Sequence, residues 1–424
     1  MTAAVAAGPA EAPTVARRRR TLRPDRAAWP IWLFTAGLPY SFLIGIHGIA
    51  WLAPAVVFGA RILASPRVRF PRSSIPLAVL VAWALLSLVV IAPGQYPIFF
   101  YRWLLFAGAL TSFVWLVNVR RDAVPTERIV DWLAAMWICL MVFGYLAALF
   151  PNLIVASPLG VLVRPMQSIP FLARISEWRF AENHHFMGYP VPRPAAPFGA
   201  ANSWGSAVGI LTPFFIRSWL VDADPARRRK GWALLAFGVY PILLSVNRGL
   251  WMALIVAFIY FAARKALRGR FTAVGVLLVA VLATTALLVF TPAGSLVVDR
   301  LDHSEKSNAA RSNLYELSWQ GAKASPLVGN GVPQAVPNDP TSPPVGTHGL
   351  IWYLMFIHGF PALILFMGWL TIEVFRSGRV VEPLAWWTHL SLVIAFVEMP
   401  YYGLLPHVIL IGIAAGLSHR ETPT

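Results

Sequence analysis

The chain has 424 residues, of which 58% are hydrophobic and 12% are charged, and its formal net charge is +17. A soluble globule of this composition would expose large apolar patches, whereas a lipid bilayer accepts them, so we predict an all-α polytopic membrane protein. The positive charges lie in short blocks between apolar runs, a pattern that fits the positive-inside bias and argues against a nucleic-acid partner. The single cysteine, Cys139, excludes an intrachain disulfide and a cysteine-based metal site.

The N-terminal segment, residues 1–28, is rich in Ala and Pro and carries four consecutive arginines at 17–20, just before the first apolar run. A secretory signal peptide also begins with basic residues, but no convincing small-residue cleavage site follows here. We therefore predict a retained cytoplasmic tail that orients the first helix. Residues 29–418 are expected to form a single transmembrane domain, followed by a short cytoplasmic tail at 419–424.

About twelve transmembrane helices can be placed in this domain. A bilayer core of about 30 Å requires about 20 helical residues, so the shorter segments are expected to pack inside the bundle. The predicted spans are approximately 29–46, 48–63, 75–92, 98–118, 129–150, 200–220, 231–246, 249–264, 271–291, 350–373, 383–400 and 403–418.

The connections between the predicted spans alternate in character. One set is rich in Arg and Lys and falls on the side of the N-terminal tail, so that side is predicted to be cytoplasmic, with both termini there. The other side holds two long polar loops, 151–199 and 292–349, and a tight turn at Asn247-Arg248-Gly249. Because long loops without regular structure are usually functional or disordered, we expect a catalytic role for the second loop, on the extracytoplasmic face.

Arg248 and His348 are the strongest candidates for chemistry. Arginine at a helix end is often only a membrane anchor, but the turn at Arg248 is short and holds no other charge. We expect a rigid guanidinium there that can bind phosphate or pyrophosphate through two hydrogen bonds. His348 ends the longest polar loop, and although a histidine at a helix start more often caps or packs, an imidazole can act as a base near neutral pH. His358, ten residues further on, is expected to be structural.

Other ionisable residues are weaker candidates. Arg193 and Arg311 lie in the two polar loops, where each alone has the features of an ordinary exposed arginine. Arg102 and Glu398 lie near the outer ends of apolar runs; an ionisable group within a span is a functional hypothesis by default, although these two can also pair or stabilise the bundle. The histidine pair at 184–185 lacks the spacing of a metal site, and we predict neither a metal nor another cofactor.

An ordered set of loose motifs runs from Ala195 to Phe366. They are Pro197 to Asn202 at the start of a span, Ser-x-x-Arg-Gly-x-Trp at Ser245 to Trp251, Arg311 to Trp319 followed by Pro326 to Gly331, and Thr347 to Leu350 followed by His358 to Pro361. In this order the motifs resemble the O-antigen ligase and polymerase family, and most of the chain resembles it in topology. One departure is Gly349, where the family often has Asn.

The resemblance implies a GT-C-like helical glycosyltransferase in the bacterial cytoplasmic membrane, which inverts the anomeric centre and needs no metal. The implied donor is a glycan on a polyprenyl pyrophosphate, either undecaprenyl or decaprenyl. By the same resemblance, His348 activates the acceptor hydroxyl, while Arg248 and Arg311, with Arg193, bind the pyrophosphate. Asn202, in the first motif, is a further candidate. Fixed arginines suit this reaction because they stabilise the charge on the leaving group.

Three activities remain open at this point. A ligase transfers the finished glycan to a different acceptor, such as lipid A core, whereas a polymerase adds it to another lipid-linked repeat unit. A transporter or flippase of lipid-linked glycans would instead place paired ionisable residues or interrupted helices near the bilayer midplane, while the distinctive charges here lie at one face. The expected partners are the lipid-linked donor, a glycan or glycolipid acceptor and membrane lipids.

Overall fold

A computed structural model describes residues 22–163, 176–185, 189–221, 223–290, 294, 298–299, 304–337, 339, 342–379 and 383–420. The arginines at 17–20 and the last four residues lie outside the described part of the chain, so the predicted cytoplasmic tails are described only in part.

The apolar runs of the sequence form helices, and the strands are confined to the first polar loop. The helices are α1 (Trp29–Phe34), α2 (Leu38–Ile44), α3 (His47–Ala50), α4 (Gly59–Ala64), α5 (Ile75–Ala84), α6 (Tyr96–Asn118), α7 (Thr126–Leu149), α8 (Pro158–Leu162), α9 (Ala201–Ile216), α10 (Pro225–Leu244), α11 (Arg248–Ala266), α12 (Thr272–Phe290), α13 (Ser304–Ala324), α14 (Leu350–Arg379), α15 (Pro383–Glu398) and α16 (Val408–Arg420). The strands are β1 (Ile154–Ala156), β2 (Glu177–Arg179), β3 (Ala181–His184) and β4 (Val191–Pro194).

Six helical segments in the described part of the chain are long and apolar enough to cross a membrane. They are His47–Ala64, Arg72–Val90, Pro93–Asn118, Thr126–Leu149, Arg248–Ala266 and Leu350–Arg379. Shorter apolar helices at Thr272–Ala286, Ala385–Glu398 and Val408–Arg420 accompany them. The prediction of a helical integral membrane protein is therefore confirmed, while the count of twelve spans and the GT-C-like class stay predictions.

The first predicted span, 29–46, is divided into the two short helices α1 and α2. Each begins with a proline in its first turn, Pro30 and Pro39, and α2 ends at Gly45, whose φ of 92° is left-handed. Proline favours the first turn of a helix, and a glycine in the left-handed conformation commonly ends one. The apolar content thus predicts where the membrane segment lies, but the prolines and glycines determine where its helices begin and end.

Helix α14 is interrupted at Gly359, whose φ of 79° and ψ of 175° are not helical. The preceding polar loop replaces hydrogen bonds that the interruption removes. The backbone N–H of Asn330 donates to Phe356 O at 2.8 Å, and that of Gly331 donates to Ile357 O at 2.9 Å. Because buried backbone groups need partners, this segment of the loop is held against α14.

His358 lies directly beside this interruption and is buried. Its Nδ1 is 3.0 Å from the hydroxyl of Ser87, which in turn donates to the carbonyl of Val328 at 2.7 Å. The side chain therefore joins α14 to the end of α5 and to the polar loop, in agreement with the predicted structural role.

The basic connections gather at one end of the helical bundle. Side chains and backbone groups from separate connections contact one another there, as the positive-inside pattern predicts for loops on a common side. These contacts are Arg128 to Asp25, Asn118 to Arg69, His419 to Ser73, Arg376 to Ser418 and Arg264 to Gly378. We call this the basic end and the opposite one the outer end.

The two polar loops lie at the outer end and contain regular structure. In the first loop, β1 pairs with β2 and β3 with β4, both antiparallel, and Glu182 is directly opposite Arg193. The second loop contains α13, which packs on α14 with the rings of Tyr315 and Trp352 stacked at 4.5 Å. The second loop is thus partly helical, which explains how a long polar segment holds its side chains in place.

The last part of the second loop is closed by a short backbone bridge. The N–H of Val345 donates to the carbonyl of Gln334 at 2.7 Å, and the chain enters α14 five residues later. His348 follows this bridge and precedes the first residue of α14.

Candidate active site

The turn before α11 fixes the position of Arg248. Asn247 caps the helix, because its Oδ1 accepts the N–H of Leu250 at 3.0 Å. The preceding Val246 is buried and has a φ of 48°, a left-handed conformation that a β-branched residue rarely adopts. Arg248 itself donates from Nη2 to Oδ1 of Asn308 on α13 at 2.8 Å. The guanidinium thus lies at a helix N-terminus, where an anion is also favoured.

Arg193 connects the first polar loop to this turn. It is buried on β4, and its Nε donates to the carbonyl of Ser245 at 2.6 Å. Its Nη2 donates to Oδ1 of Asn202, the second residue of α9, at 3.1 Å. Burial lowers the pKa of the Arg193 guanidinium, as does the charge of Arg311, whereas Glu182 and Tyr402 act in the opposite direction. Arginine nevertheless stays charged at neutral pH.

Glu182 places a carboxylate beside Arg193 and holds the start of α9. Its Oε2 accepts the backbone N–H of Ala201 at 2.8 Å and lies 3.4 Å from Nε2 of His184. Burial raises the pKa of this carboxyl, but the hydrogen bonds from His184 and Ala201 and the charges of His184 and Arg193 outweigh it and lower the pKa to about 2. Glu182 is therefore ionised at neutral pH.

Arg311 is the common neighbour of the other cations. It lies on α13, half-buried, with its guanidinium carbon 6.0 Å from the centre of the Tyr402 ring. Its charge interacts with those of Arg193 and Arg248 and with the imidazole of His348. Arg311 is thus within electrostatic range of two arginines from two other segments, an arrangement of like charges that a bound anion would stabilise.

His348 is half-buried at the same place, and its Nδ1 is 3.1 Å from the hydroxyl of Thr347. Burial, together with the charge of Arg311, lowers the pKa of His348 from its usual 6.5 to about 4, while Glu182 acts in the opposite direction. The imidazole is therefore neutral at pH 7. A neutral imidazole beside a cluster of arginines can accept a proton from a hydroxyl group.

Tyr402 is buried beneath this cluster. Its hydroxyl donates to Oδ1 of Asn247 and accepts the N–H of Gly249 at 2.9 Å. Burial raises the pKa of the Tyr402 phenol, with Arg311 acting in the opposite direction, so the phenol is protonated at neutral pH. The residue therefore joins the start of α11 to the connection between α15 and α16.

Gly349, the departure from the family pattern, is required by the backbone. Its φ is 85°, and a Cβ at this position would lie 2.4 Å from the carbonyl oxygen of Pro400. The next residue, Leu350, donates its N–H to the carbonyls of Met399 and Tyr402, both at 2.7 Å. The start of α14 is thus bonded to the end of α15, and this contact leaves no room for a side chain.

The structure brings five predicted site residues together and places two elsewhere. Those at the outer-end cluster are Arg193, Asn202, Arg248, Arg311 and His348. Arg102 instead contacts Tyr353, with its guanidinium carbon 5.8 Å from the ring centre. Glu398 is fully buried against Gly209 of α9. Arg102 and Glu398 therefore contact different helices instead of pairing with each other.

Three residues of the cluster are absent from the sequence-based predictions. Glu182, Asn247 and Tyr402 each position a predicted residue or its helix. For Asn247, the signal was present in the sequence, because Asn is a strong N-cap and stands directly before an apolar run. Glu182 and Tyr402 are single polar residues far from Arg248 in sequence, so only the fold reveals their neighbours.

Residues 233–367 match the model of the family described as O-Antigen ligase. Among curated proteins, none matches the chain. The matched segment includes the turn at Arg248, α13 with Arg311, and His348, so it holds three of the residues that meet at the outer end. The predicted resemblance to the O-antigen ligase family is therefore confirmed, on the segment that carries these three residues.

Proposed function

We propose that this protein is an inverting, metal-independent glycosyltransferase of the O-antigen ligase type. It transfers a glycan from a polyprenyl pyrophosphate carrier to an acceptor hydroxyl on the extracytoplasmic face of the bacterial cytoplasmic membrane. The observation that carries this proposal is that Arg311 is the common electrostatic neighbour of Arg193, Arg248 and the neutral imidazole of His348.

The cations in this cluster suit a pyrophosphate. The hydrogen bond from Arg248 to Asn308 joins the start of α11 to α13, which carries Arg311, and Arg193 is held by Ser245 and Asn202. Guanidinium groups bind phosphate oxygens in pairs, and fixed charges stabilise a developing anion without reorganising during the reaction. The cluster can therefore supply the charge stabilisation that a metal ion supplies in other transferases.

In the proposed reaction, the acceptor hydroxyl oxygen attacks the anomeric carbon on the face opposite the pyrophosphate. A new carbon–oxygen bond forms as the bond to the pyrophosphate oxygen breaks, and that oxygen leaves with the electron pair. The hydroxyl proton passes to His348, and the charge on the departing polyprenyl pyrophosphate is balanced by the arginines. Attack on the opposite face inverts the anomeric configuration.

A transfer assay with purified protein tests the proposal. The donor is a polyprenyl-pyrophosphate-linked glycan, assayed with and without a chelator, and wild type is compared with His348→Ala. His185→Ala is the matched control, because this histidine is exposed in the first outer loop. We expect chelator-resistant transfer by wild type and the control, and no transfer by His348→Ala.

Other outcomes decide against the proposal. Near-normal transfer by His348→Ala would show that His348 is not the base. Loss of transfer in the presence of the chelator would show that the reaction needs a metal ion. If no acceptor is glycosylated and the lipid-linked glycan instead crosses a vesicle membrane, the protein is a transporter and the arginine cluster is a docking site.

A further inference from the structure

Arg102 also lies in the outer half of the bundle, and the proposed reaction does not use it. It lies on α6, six residues after the helix begins at Tyr96, or about 9 Å along the axis. The other end of α6, at Asn118, is bonded to Arg69 at the basic end. Arg102 therefore lies less than two helical turns inside the outer end of this apolar helix.

Two buried polar atoms of Arg102 and Tyr353 have no hydrogen-bond partner within the described part of the chain. Nη1 of Arg102 is buried and makes no hydrogen bond, and the same holds for the hydroxyl of Tyr353 on α14. Tyr353 is 2% exposed, whereas Arg102 is half-buried and can still be reached from outside. The contact between the guanidinium and the Tyr353 ring compensates only in part for a charge removed from water.

The position of this pair relative to His348 is defined by α14. Tyr353 is the fourth residue of α14 and lies about 4.5 Å along the axis from its first residue, Leu350, and His348 precedes Leu350 by two residues. The adjacent Trp352 stacks on Tyr315, which shares α13 with Arg311. Since successive residues of a helix are turned by about 100°, Arg102 and Arg311 approach α14 from different sides.

We propose that Arg102 and Tyr353 form a second phosphate-binding site, which receives the pyrophosphate of a lipid-linked acceptor. An unpaired guanidinium and an unpaired phenol are both donors that a phosphate group satisfies. The ligand is lipid-linked because the site lies below the membrane surface, where an anion attached to a polyprenyl chain is delivered and a free anion is not. The assignment to an acceptor rests on the proposed function.

With two such sites, the protein holds two lipid-linked glycans at once, one on each side of the first turns of α14. The first gives its glycan from the cluster of Arg193, Arg248 and Arg311, and the second offers its hydroxyl while its own pyrophosphate stays bonded to Arg102. Within the proposed glycosyltransferase reaction, this arrangement makes a second lipid-linked glycan the acceptor, which is polymerisation. A ligase with an acceptor that lacks a lipid pyrophosphate has no use for the second site.

Counting bound lipids by native mass spectrometry tests the inference independently of transfer. The probe is a sugar-free polyprenyl pyrophosphate, and the corresponding polyprenyl alcohol measures binding that does not depend on phosphate. We expect two pyrophosphate-dependent molecules on wild type, one on Arg102→Gln and one on Arg311→Gln. The matched control is Arg121→Gln, an exposed arginine at the basic end, which should bind two.

One bound molecule on wild type, or an unchanged count in Arg102→Gln, overturns the second site. Inorganic pyrophosphate that displaces the molecule at Arg102 as readily as the lipid does overturns the assignment to a lipid. Since these counts need no transfer, a protein that binds two lipids but transfers nothing retains the second site and loses the proposed function. A protein that transfers glycan but binds only one lipid retains the proposed function and loses the second site.

Tyr353→Phe provides a second test if Arg102→Gln does not fold. It retains the ring that contacts Arg102 and removes only the hydroxyl. Loss of one hydrogen bond to a charged group should weaken the second binding event by roughly tenfold or more and leave the first unchanged. Unchanged affinity for both molecules excludes the hydroxyl from the site and overturns the inference.

Discussion

The hydroxyl of Tyr402 donates a hydrogen bond to Oδ1 of Asn247, although the two residues are 155 positions apart. The same oxygen of Asn247 caps α11, and the same hydroxyl accepts the N–H of Gly249. Arg248 lies between these two residues of the turn. The backbone of Arg248 is therefore fixed on both sides by the side chain of Tyr402, which lies in the connection between α15 and α16.

Replacing Tyr402 by Phe should both destabilise the protein and reduce transfer. The change leaves the N–H of Gly249 buried without a partner, which costs about 1–3 kcal/mol. It also loosens the turn that carries Arg248, so the catalytic rate should fall even in protein that remains folded. Thermal unfolding and transfer rate of Tyr402→Phe are the measurements. Tyr401→Phe is the control, because the neighbouring Tyr401 is exposed, and a loss as large in that variant would contradict the prediction.

The activity should depend on pH through the imidazole of His348. A base must be unprotonated, and burial and Arg311 lower the pKa of His348 to about 4. The rate at low substrate concentration should therefore be constant near neutral pH and fall as the pH decreases through about 4. A fall centred near 6.5 would show that the imidazole is not in this environment in the free enzyme.

Arg311→Gln should raise the pH at which the transfer rate falls on the acid side of the pH profile. Removing the cation removes one cause that lowers the pKa of His348, although burial, the larger cause, remains. The shift should therefore be toward 6.5 without reaching it. The overall rate should fall as well if Arg311 binds the pyrophosphate as proposed, but the pH midpoint of the fall in rate is independent of that loss. If the pH midpoint does not move, the charge of Arg311 does not affect the pKa of His348, and this prediction is wrong.

Arg248→Lys should reduce transfer although it conserves the charge. Lysine lacks the planar pair of donors, so it cannot bond Asn308 and a phosphate oxygen in the same geometry. We expect a decrease of roughly ten- to a hundredfold in catalytic efficiency. Arg179→Lys, in a half-buried ion pair with Glu177 in the first polar loop, is the control and should be active. Full activity of Arg248→Lys would reduce Arg248 to a membrane anchor.

Gly349→Ala should destabilise the protein more than an ordinary surface substitution does. The new Cβ would lie 2.4 Å from Pro400 O, at a φ of 85° that alanine rarely adopts. The start of α14 must then separate from the end of α15, which also displaces His348. Thermal unfolding is the measurement. Gly94→Ala is the matched control, because a Cβ there meets no atom within 4 Å, and equal losses in both variants would refute the explanation.

The helical, membrane-embedded character of the chain could be predicted from the sequence because it depends on composition. Apolar runs must lie in lipid, and the alternation of basic connections separates the two ends. The turn at Arg248 and the end of the second loop could be chosen as candidates for the same reason, since each interrupts an apolar run with polar residues. Arg248, Arg311 and His348 are neighbours in the structure.

The supporting residues could not be predicted in this way. Glu182 acts through the backbone N–H of Ala201, and Tyr402 acts through Asn247, so each role depends on a contact between segments distant in sequence. No periodicity encodes such contacts. The interruption of α14 at Gly359 is a further example, because its lost hydrogen bonds are replaced by Asn330 and Gly331 and not by neighbours in the helix.

The bridge between Gln334 and Val345 makes the ten residues between them a closed loop whose ends are fixed to each other. Upstream, the chain is bonded to α14 through Gly331, and downstream it enters the same helix after His348. Lengthening a loop whose ends are already joined costs little free energy, because the closure entropy grows only slowly with length. Insertions between Gln334 and Val345 should therefore cost little stability and leave the start of α14, with His348 before it, in place.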